Sequence, residues 1–495
     1  MIEVINLKNY KCFKNATDVR IAPLTLLCGV NSSGKSSILK SLLMLKQSYE
    51  NQESSNTMTF NGKYVKCGRF GEISTQSNNE PITFKVSYEL KKPTRFTSNR
   101  HPVRKESRHD ITAFKNLNQV YRKFNADSFK VTTEITVEKS GSLIAIDDNI
   151  LLEQKMQVAA MRSGVVICES SIHMKKLPKQ TSQYAIRIKN IPDSDTEELI
   201  PDVLLRDAAC YFENFNLVNV YSTDIEPKTQ KVSVLLPGVY QIFRANALQF
   251  KNIHYLTPLR GYPQRSYLLD HETQDVGMSG EYTPYIIQKF KDKRVNGFFP
   301  PEDDKIKKVE GKVELDSSIQ RWMEYLKLGH YTISKTDETV QLKVKRYNVS
   351  NVGFGVSQVL PIIVSGLTEN DGETLLLEQP EIHLHPSAQM NMADFLLSMA
   401  VNGKCVVVET HSDHIINRIV RRIMEDPSLH DMVKIYFVDQ DDEGCSKVQG
   451  ITVDDVDGAV CDNPNFFFQF ASETEKIIDV GYRNLQKRQG ESINV

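Results

Sequence analysis

Residues 29–37, Gly-Val-Asn-Ser-Ser-Gly-Lys-Ser-Ser, constrain the fold more than any other part of the chain. An apolar run over residues 23–28 precedes them, and apolar residues at helical spacing follow over residues 38–45. A glycine-rich loop between a buried strand and a helix is the context in which GxxxxGKS binds phosphate, whereas an ordinary Gly/Ser turn needs neither flank. Lys35 would reach the phosphates, and the Ser36 hydroxyl would hold Mg²⁺. We predict that ATP and Mg²⁺ bind at Gly29, Asn31, Ser32, Ser33, Gly34, Lys35, Ser36 and Ser37.

Composition limits the classes of protein that fit this chain. The formal net charge of −1 gives no overall attraction to nucleic acid or membranes, so any such binding has to be local. The eight cysteines include no Cys-x-x-Cys pair, which argues against a zinc ribbon, a zinc hook and a thioredoxin-like motif. Residues 1–6 do not resemble a signal peptide, and no apolar run approaches the ~18 residues of a membrane helix. We therefore expect a cytoplasmic protein with free thiols and no membrane partner.

The length of 495 residues fits about three domains or one large interrupted domain. We predict an N-terminal part over residues 1–90, an insertion of mixed α+β structure over 91–240, a C-terminal part over 241–470 and a tail over 471–495. Local patterns predict the following elements: strands at residues 2–8, 16–28, Lys130–Val137 and Gly164–Cys168, and helices at Glu197–Phe212 and Ser318–Leu328. No heptads are sustained over several turns, so long coiled-coil arms are not expected.

A basic segment lies at residues 91–123, where ten Lys or Arg residues stand against two acidic residues. Four aromatic residues are interleaved with these charges: Phe96, Phe114, Tyr121 and Phe124 directly after it. Basic side chains and aromatic rings together are typical of nucleic-acid binding, because they contact phosphates and stack on bases. The alternative is a solvated insertion loop.

Three short segments in the second half of the chain contain further candidate residues for binding and hydrolysing the nucleotide. Gly355, Ser357 and Gln358 begin an apolar helix, which is a further arrangement suited to anions. The apolar run 374–377 ends in Glu378, which places an acidic group next to Mg²⁺. A second apolar run ends near His411, which is suited to sensing or polarising a γ-phosphate. Ser357 lies 21 residues before Glu378, and His411 lies 33 residues after it.

The order of these motifs resembles that of ABC-type ATPases of the RecF, SMC and OLD branch, and Ile5–Phe13 resembles their opening segment. Residues 353–361, 378–386 and 463–468 are similar to the family with a DUF3696-type C-terminus. The resemblance implies an α/β fold, an ABC-type ATPase head of the P-loop NTPase class, interrupted by a large α+β insertion. It also implies a head-to-head dimer, in which Gly355, Ser357 and Gln358 form a signature motif that caps the partner's ATP.

The hydrolysis motif departs from the pattern of that family. ABC-type heads carry Asp-Glu where this chain has Glu378-Gln379, so the residue that orients the attacking water is a glutamine. Glutamine can position a water molecule but cannot accept its proton. Glu381 or His411 could supply the missing function. We therefore expect slow ATP hydrolysis, with Glu378, Gln379, Glu381 and His411 as the candidate catalytic residues and Ser36 and Glu378 as the metal ligands.

The resemblance extends to the ATPase subunit of the Septu antiphage system, whose partner is an HNH nuclease. It implies a regulatory subunit of a bacterial defence complex in which a separate chain carries the nuclease. The alternatives are a RecF-like repair ATPase and a nucleotide-dependent scaffold with negligible hydrolysis.

Further pairs of residues are open to two interpretations. His383 and His385 suit either a metal site or a packed loop. Asp439 and Asp441 resemble a Toprim nuclease motif but also suit a hairpin turn. The arginines of the 253–265 segment, Arg260 and Arg265, suit either phosphate contacts or a structural role.

Overall fold

A computed structural model describes residues 1–51, 56–91, 126–141, 147–178, 183–189, 191–192, 199–200, 203–213, 215–222, 246–268, 273–370, 372–461 and 463. Apart from Lys91, the basic segment 91–123 lies outside the described residues, as does the predicted tail 471–495. Among the helices that the structure describes, none combines the length and the apolar character that crossing a bilayer requires. All eight cysteines are free thiols, as predicted.

The strands are numbered in chain order. Their bounds are β1 Ile2–Lys8, β2 Thr17–Arg20, β3 Leu24–Gly29, β4 Ile82–Lys91, β5 Ser128–Lys139, β6 Asn149–Arg162, β7 Val165–Lys176, β8 Gln183–Lys189, β9 Ile191–Pro192, β10 Leu199–Ile200, β11 Val203–Glu213, β12 Asn216–Ser222, β13 Ile253–Leu256, β14 Tyr267–Leu268, β15 Arg294–Val295, β16 Val313–Glu314, β17 Tyr331–Lys335, β18 Thr339–Val344, β19 Tyr347–Asn348, β20 Thr374–Glu378, β21 Cys405–Glu409, β22 Val433–Gln440, β23 Ser446–Asp454 and β24 Gly458–Val460.

The helices are numbered in the same way. Their bounds are α1 Lys35–Glu50, α2 Phe70–Ile73, α3 Thr283–Phe290, α4 Leu315–Tyr325, α5 Phe354–Thr368, α6 Pro386–Val401 and α7 Asp413–Glu425. Short 3₁₀ helices span Thr75–Ser77, Val349–Asn351 and Pro427–Met432, and residues 246–251 are helical.

The central sheet has seven strands in the order β13-β20-β21-β3-β22-β23-β24. The first five strands are parallel, and β23 and β24 are antiparallel additions at one edge. The parallel strands are almost continuously apolar because both faces of the sheet are covered. Since parallel strands end at the same edge, the loop after β3 meets the ends of β20 and β21, which is where α/β folds bind ligands.

A nine-stranded antiparallel sheet has the order β12-β11-β8-β7-β6-β5-β4-β1-β2. It joins the N-terminal strands to the predicted insertion, because β4 pairs with β1 on one side and with β5 on the other. The predicted boundary at residue 90 therefore falls inside β4, and the sheet is continuous across it. The predicted strands within Lys130–Val137 and Gly164–Cys168 correspond to β5 and to the first part of β7.

Helix α1 packs between the two sheets. Leu42 of α1, Phe84 of the antiparallel sheet and Val407 of the parallel sheet belong to one buried cluster. The neighbouring strand residues, Val406 and Val408, lie on the opposite face and pack in a second cluster with residues of α4 to α7. Each fully buried apolar side chain of this size contributes about 1.5–3 kcal/mol. Alternate residues of β21 therefore pack on opposite faces of the central sheet. This packing fixes α1, and the loop at its N-terminus, against one face of the sheet.

The helix predicted at Glu197–Phe212 is wrong, because its described part from residue 203 is strand β11. Leu205, Ala208, Cys210 and Phe212 are buried, whereas Leu204 and Tyr211 are exposed. The pattern has the period of a strand, with a register shift between Leu205 and Ala208 that hides this period in the sequence. Pairing with β8 and β12 decides the structure. The single strand predicted at 16–28 is two strands, β2 and β3, which are separated by residues 21–23.

Candidate nucleotide-binding and hydrolysis site

The loop between β3 and α1 has the conformation that its glycines permit. Gly29 has φ +131°, and a Cβ atom there would lie 2.1 Å from the Val438 carbonyl oxygen. Gly34 has φ +109°, and a Cβ atom would lie 2.6 Å from both Cys12 Sγ and Ser446 Oγ. Gly34 is also the N-cap of α1 and, having no side chain, leaves the first amides of the helix available to an anion. Both glycines are therefore required by close contacts as well as by backbone conformation.

The hairpin between β22 and β23 supports this loop from the side. Gln440 Nε2 donates to the carbonyl of Ser32 at 3.0 Å, and Ser446 Oγ donates to the carbonyl of Ser33 at 2.5 Å. Asn31 and Ser32 are exposed, whereas Ser33 is buried and its hydroxyl has no hydrogen-bond partner among the described residues. An unsatisfied buried hydroxyl in a loop of open amides fits a loop whose remaining partner is a phosphate group.

Lys35 is held at the mouth of the loop. Its Nζ donates to the carbonyls of Gly29 at 3.0 Å and Val30 at 2.5 Å. Burial lowers the pKa of Lys35, and the nearby carboxylate of Glu409 opposes that shift. The ammonium is thus oriented over the loop before any nucleotide arrives. Phosphate oxygens would replace two neutral carbonyls by charged acceptors, which form stronger hydrogen bonds.

Ser36, Glu378 and Glu409 form the candidate cation site. Ser36 Oγ donates to Glu409 Oε1 at 2.9 Å. Glu409 ends β21 directly opposite Glu378, which ends β20. Glu409 Oε2 is buried and has no hydrogen-bond partner among the described residues. Burial is the main cause that raises the pKa of Glu409, and the neighbouring Glu378 raises it further.

These oxygens fit a divalent cation. Two carboxylates and a hydroxyl are hard oxygen ligands of the kind Mg²⁺ prefers, and Mg²⁺ sites use one or two carboxylates together with phosphate oxygens. A cation would also neutralise the repulsion between Glu378 and Glu409. Ser36 and Glu378 were predicted as metal ligands, whereas Glu409 was not. One signal for it exists in the sequence, since Leu-Leu-Leu-Glu378 and Val-Val-Val-Glu409 are the same pattern of an apolar strand ending in an acid.

Gln379 occupies a turn with an unusual backbone conformation. Its φ is +46°, in the left-handed region that side-chain-bearing residues rarely adopt. Its amide donates to the Glu409 carbonyl at 2.7 Å, so the turn is attached to the end of β21. Next to it, Tyr255 donates its hydroxyl to Glu378 Oε1 at 2.8 Å and thereby orients that carboxylate. That Gln379 orients the attacking water stays a prediction.

Glu381 is committed to the loop that carries His411. Its two carboxylate oxygens accept hydrogen bonds from the Thr410 hydroxyl at 2.9 Å and from the His411 amide at 2.7 Å. Burial is the largest effect on Glu381 and raises its pKa, although these hydrogen bonds oppose the shift. Burial and the charge of Lys35 lower the pKa of His411, so its imidazole is neutral at neutral pH. Glu381 is therefore placed to orient His411, and its oxygens are used for that purpose.

Of the predicted signature residues, Gly355 lies against His383, whereas Ser357 and Gln358 make contacts elsewhere. A Cβ atom on Gly355 would lie 3.2 Å from the His383 carbonyl oxygen, and Ser357 Oγ donates to the Phe354 carbonyl at 2.8 Å. Gln358 is buried and hydrogen-bonded to the backbone of Arg260. Within the described part of the chain, no hydrogen bond joins these residues to residues 29–37.

The structure describes the surroundings of the histidine, aspartate and arginine pairs for which the sequence left two interpretations open. His385 Nδ1 accepts from the Ser387 amide and caps α6, which is a structural role. Among the described residues, no group of three or more His, Cys, Asp or Glu side chains could hold a metal ion. Asp441 accepts from the amides of Glu443 and Cys445 in the turn after β22, as the hairpin interpretation predicts. Arg260 is 4% exposed, whereas the Arg265 side chain is exposed.

Comparisons with known proteins agree with this geometry. A family model described as AAA ATPase domain matches residues 1–416. A comparison with curated proteins found no match.

Three solved structures illustrate the similar chains. The first is an SmcHead bound to the C-winged helix domain of ScpA, with 12% identity, coverage of 92% of this chain and 98% of the other, and a TM-score of 0.38. The second is the SMC head domain from Thermotoga maritima, with 10% identity, coverage of 91% and 99%, and a TM-score of 0.32. The third is an Smc head domain with an extended coiled coil bound to the C-terminal domain of ScpA from Pyrococcus furiosus, with 10% identity, coverage of 91% and 96%, and a TM-score of 0.39.

The family model covers most of the chain and includes the phosphate-binding loop, the strand that ends in Glu378 and the strand that ends in Glu409. The predicted α/β ATPase fold class is confirmed, with the phosphate-binding loop and Glu378 at the ends of strands of the central parallel sheet. The chain belongs to the AAA ATPase domain family.

Proposed function

We propose that this chain binds Mg–ATP at the edge of the central sheet and hydrolyses it slowly. The observation that carries the proposal is the group formed by Lys35, Ser36, Glu378 and Glu409. It combines a fixed ammonium, a helix N-terminus and two facing carboxylates, one of which has an unsatisfied buried oxygen. A triphosphate with its cation has the complementary charges and ligand atoms.

The residues divide the work of hydrolysis. Lys35 and the amides of α1 bind the phosphates, and Ser36, Glu378 and Glu409 hold the cation. Mg²⁺ would neutralise charge on the phosphate oxygens as the transferred group leaves. Gln379, fixed by its amide hydrogen bond to Glu409, orients the attacking water. The neutral His411, held by Glu381, donates or accepts a hydrogen bond at the γ-phosphate.

Slow turnover follows from the absence of a free base at position 379. Gln379 cannot take a proton, and both oxygens of Glu381 already accept hydrogen bonds from the Thr410–His411 segment. A missing general base commonly costs about 10²–10⁴-fold in rate. A long-lived ATP state suits a switch whose bound and free forms differ in affinity for a partner.

Calorimetry and steady-state phosphate release test this function. Lys35→Ala should weaken ATP binding strongly, because it removes the ammonium that contacts the carbonyls of the phosphate-binding loop. Gln379→Glu should speed hydrolysis by supplying a base, and Glu381→Gln should retain most of the activity if Glu381 only orients His411. Unchanged ATP affinity in Lys35→Ala would refute the binding site. If wild type hydrolysed ATP fast and Glu381→Gln abolished that activity, the proposal of a slow switch would be refuted, and the chain would be an ordinary ATP-driven motor.

Two copies of the chain are proposed to associate head to head around two ATP molecules. The support is that Ser357 lies in the first turn of α5 and has no hydrogen bond within the described chain to the phosphate-binding loop. A second copy could then bring this helix N-terminus to the γ-phosphate. Light scattering should show ATP-dependent association that Ser357→Arg abolishes without unfolding the monomer. Association that depends on neither ATP nor Ser357 would contradict the dimer.

The cellular role is proposed to be regulation of a separate HNH-type nuclease in an antiviral defence complex. The support is an analogy: the chain resembles the ATPase subunit of the Septu antiphage system, whose partner is an HNH nuclease. Co-purification of a nuclease encoded in the adjacent gene, sensitive to Lys35→Ala, would support it. Neighbouring recombination genes and ATP-dependent loading onto DNA would favour a RecF-like repair ATPase instead. Nucleic-acid binding through residues 91–123 stays a prediction, to be measured as salt-dependent affinity for DNA and RNA.

A further inference from the structure

Arg260 lies directly behind the turn that presents Gln379. Its Nη2 donates to the Glu378 carbonyl at 2.7 Å, and its Nη1 donates to the Gln379 carbonyl at 3.3 Å. Arg260 follows β13, the edge strand paired with β20, so its backbone is anchored beside the strand whose last residues it contacts. Both terminal nitrogens donate to carbonyls and the side chain is only 4% exposed, which favours the structural role of Arg260 over a phosphate contact.

The turn that Arg260 contacts needs external support. Gln379 has φ +46°, and a left-handed conformation at a residue with a side chain persists only where the surroundings hold it. Two kinds of contact do so: the Gln379 amide donates to Glu409, and the Gln379 carbonyl accepts from the Arg260 guanidinium. Hydrogen bonds from a charged donor are among the strongest that a carbonyl can accept.

Gln358 fixes the backbone of Arg260 from the other side. Its Oε1 accepts from the Arg260 amide at 3.1 Å, and its Nε2 donates to the Arg260 carbonyl at 3.2 Å. Gln358 is buried and directly follows Ser357 in the first turn of α5. Arg260 therefore joins the helix that carries the signature residues to the Gln379 turn. Its backbone contacts Gln358 of the helix, and its guanidinium contacts the turn.

A second contact runs parallel to this one at the surface. The exposed ring of Tyr262, two residues after Arg260, packs edge-on against Phe354 at the start of α5, with 5.6 Å between ring centroids. Phe354 in turn lies 5.7 Å from the ring of His383. The first turn of α5 thus contacts the loop that carries Arg260 and the segment that carries His383.

We propose that Arg260 is a positioning residue that sets the orientation of Gln379, and that Gln358 couples Arg260 to whatever binds the N-terminal turn of α5. Binding at Ser357 would then change hydrolysis in the same chain through Gln358, Arg260 and Gln379. The Arg260 Nε–H is buried without a hydrogen-bond partner in the described chain, so this donor is available for a second arrangement of the guanidinium. The proposal rests on the ATPase function proposed above and adds a path by which it is regulated.

Kinetics of matched arginine variants form the first test. Arg260→Gln should lower kcat by about 10- to 100-fold, as expected when a catalytic group is misplaced by about 1 Å. The dissociation constant for ATP should change by less than about threefold, because Arg260 does not touch the phosphates. Arg260→Lys should restore part of kcat, and Arg265→Gln, at an exposed arginine of the same loop, should match wild type. In a Gln379→Ala background, Arg260→Gln should have no further effect on kcat, because both changes remove the same function.

Hydrogen exchange of the nucleotide-free chain forms the second test and does not depend on ATPase activity. The amides of Gln379, Ile382 and Leu384 all donate within the segment 379–384 or to Glu409. Both Arg260→Lys and Gln358→Ala should speed their exchange by about tenfold, the effect of one weakened hydrogen bond.

The outcomes separate the two proposals. If wild type shows no hydrolysis, the ATPase function fails, and the exchange data alone decide the link. If Gln358→Ala changes exchange in α5 but leaves residues 379–384 at wild-type rates, the link is refuted. Additive effects of Arg260→Gln and Gln379→Ala on kcat, or an equal loss of ATP affinity, would also overturn it.

Discussion

Replacing Glu409 by glutamine should have opposite effects on the free chain and on the Mg–ATP complex. Glutamine keeps an oxygen that can accept the Ser36 hydroxyl, which lies 2.9 Å from Glu409 Oε1, so the change removes charge with little change of shape. It leaves Glu378 as the one carboxylate at the paired strand ends. The experiment therefore separates a cation ligand from a structural hydrogen-bond acceptor.

The stability of the free chain should rise. Neighbouring strands lie about 4.8 Å apart, and two carboxylates about 5 Å apart repel by about 3 kcal/mol at an effective dielectric constant of about 20. Lys35 offsets part of this repulsion, so we expect Glu409→Gln to raise the free energy of unfolding by about 1–3 kcal/mol.

The gain should depend on pH. The folded-state pKa of Glu409 is raised, so the folded chain binds more protons than the unfolded chain, and stability falls as pH rises through that interval. The difference between wild type and Glu409→Gln should thus be largest near neutral pH and small below the ordinary carboxyl range of about pH 4.

Affinity for the cation should fall in the same variant. Because changing a mere hydrogen-bond partner of a metal ligand typically costs about 10–100-fold in metal affinity, we expect the loss of a charged oxygen ligand to cost at least that much. Titration of Mg²⁺ into the ATP complex by calorimetry, and of Mn²⁺ by electron paramagnetic resonance, would measure it without relying on turnover. Differential scanning fluorimetry should then show a higher melting temperature without ligand and a smaller shift with Mg–ATP.

Glu373→Gln is the matched control. Glu373 is also buried, but it precedes β20 at the opposite end of the strand and accepts from the Asn370 amide at 2.9 Å. This variant should lose stability, because its carboxylate is hydrogen-bonded, and should bind Mg²⁺ like wild type. If Glu409→Gln were less stable than wild type and kept full cation affinity, Glu409 would be a structural acceptor and the reasoning would be refuted.

Three further predictions concern other parts of the chain. Gly34→Ala should abolish ATP binding measured by calorimetry. The new Cβ would lie 2.6 Å from Cys12 Sγ and from Ser446 Oγ, and alanine rarely adopts the backbone φ of +109° found at this position. Asp394→Asn should lower the free energy of unfolding in urea by about 3–5 kcal/mol, because Asp394 is fully buried and pairs with Arg418 and Arg422. The purified chain alone should not cleave DNA; metal-dependent cleavage lost in Asp439→Ala would contradict this and favour the Toprim interpretation.

The phosphate-binding loop was predictable because its information is local. The glycines, Lys35 and Ser36 act within one strand–loop–helix unit, so neighbouring residues carry both the conformation and the chemistry. The same holds for β1 and the helix around Trp322, where hydrophobic periodicity alone predicts the element.

Tertiary structure decided the residues whose roles depend on pairing across long separations. Glu409 becomes part of the cation site because β20 and β21 pair in parallel with Glu378 opposite Glu409, a register that no local pattern specifies. Glu381, predicted as a candidate catalytic residue, accepts hydrogen bonds from Thr410 and His411, and this arrangement depends on the fold. Sequence motifs therefore identified the chemical groups, whereas strand register and burial determined which of them face one another.

Arg260 and β11 show the same division. An arginine after a strand suits a phosphate or a carbonyl equally well, and only packing against the end of β20 assigned it to the Glu378 and Gln379 carbonyls. Residues 203–213 have an apolar pattern broken by a bulge, and pairing with two neighbouring strands outweighed local helix propensity. The sequence determined which side chains can do chemistry, and the sheet decided where they meet, because hydrogen-bond register and burial are properties of the folded chain.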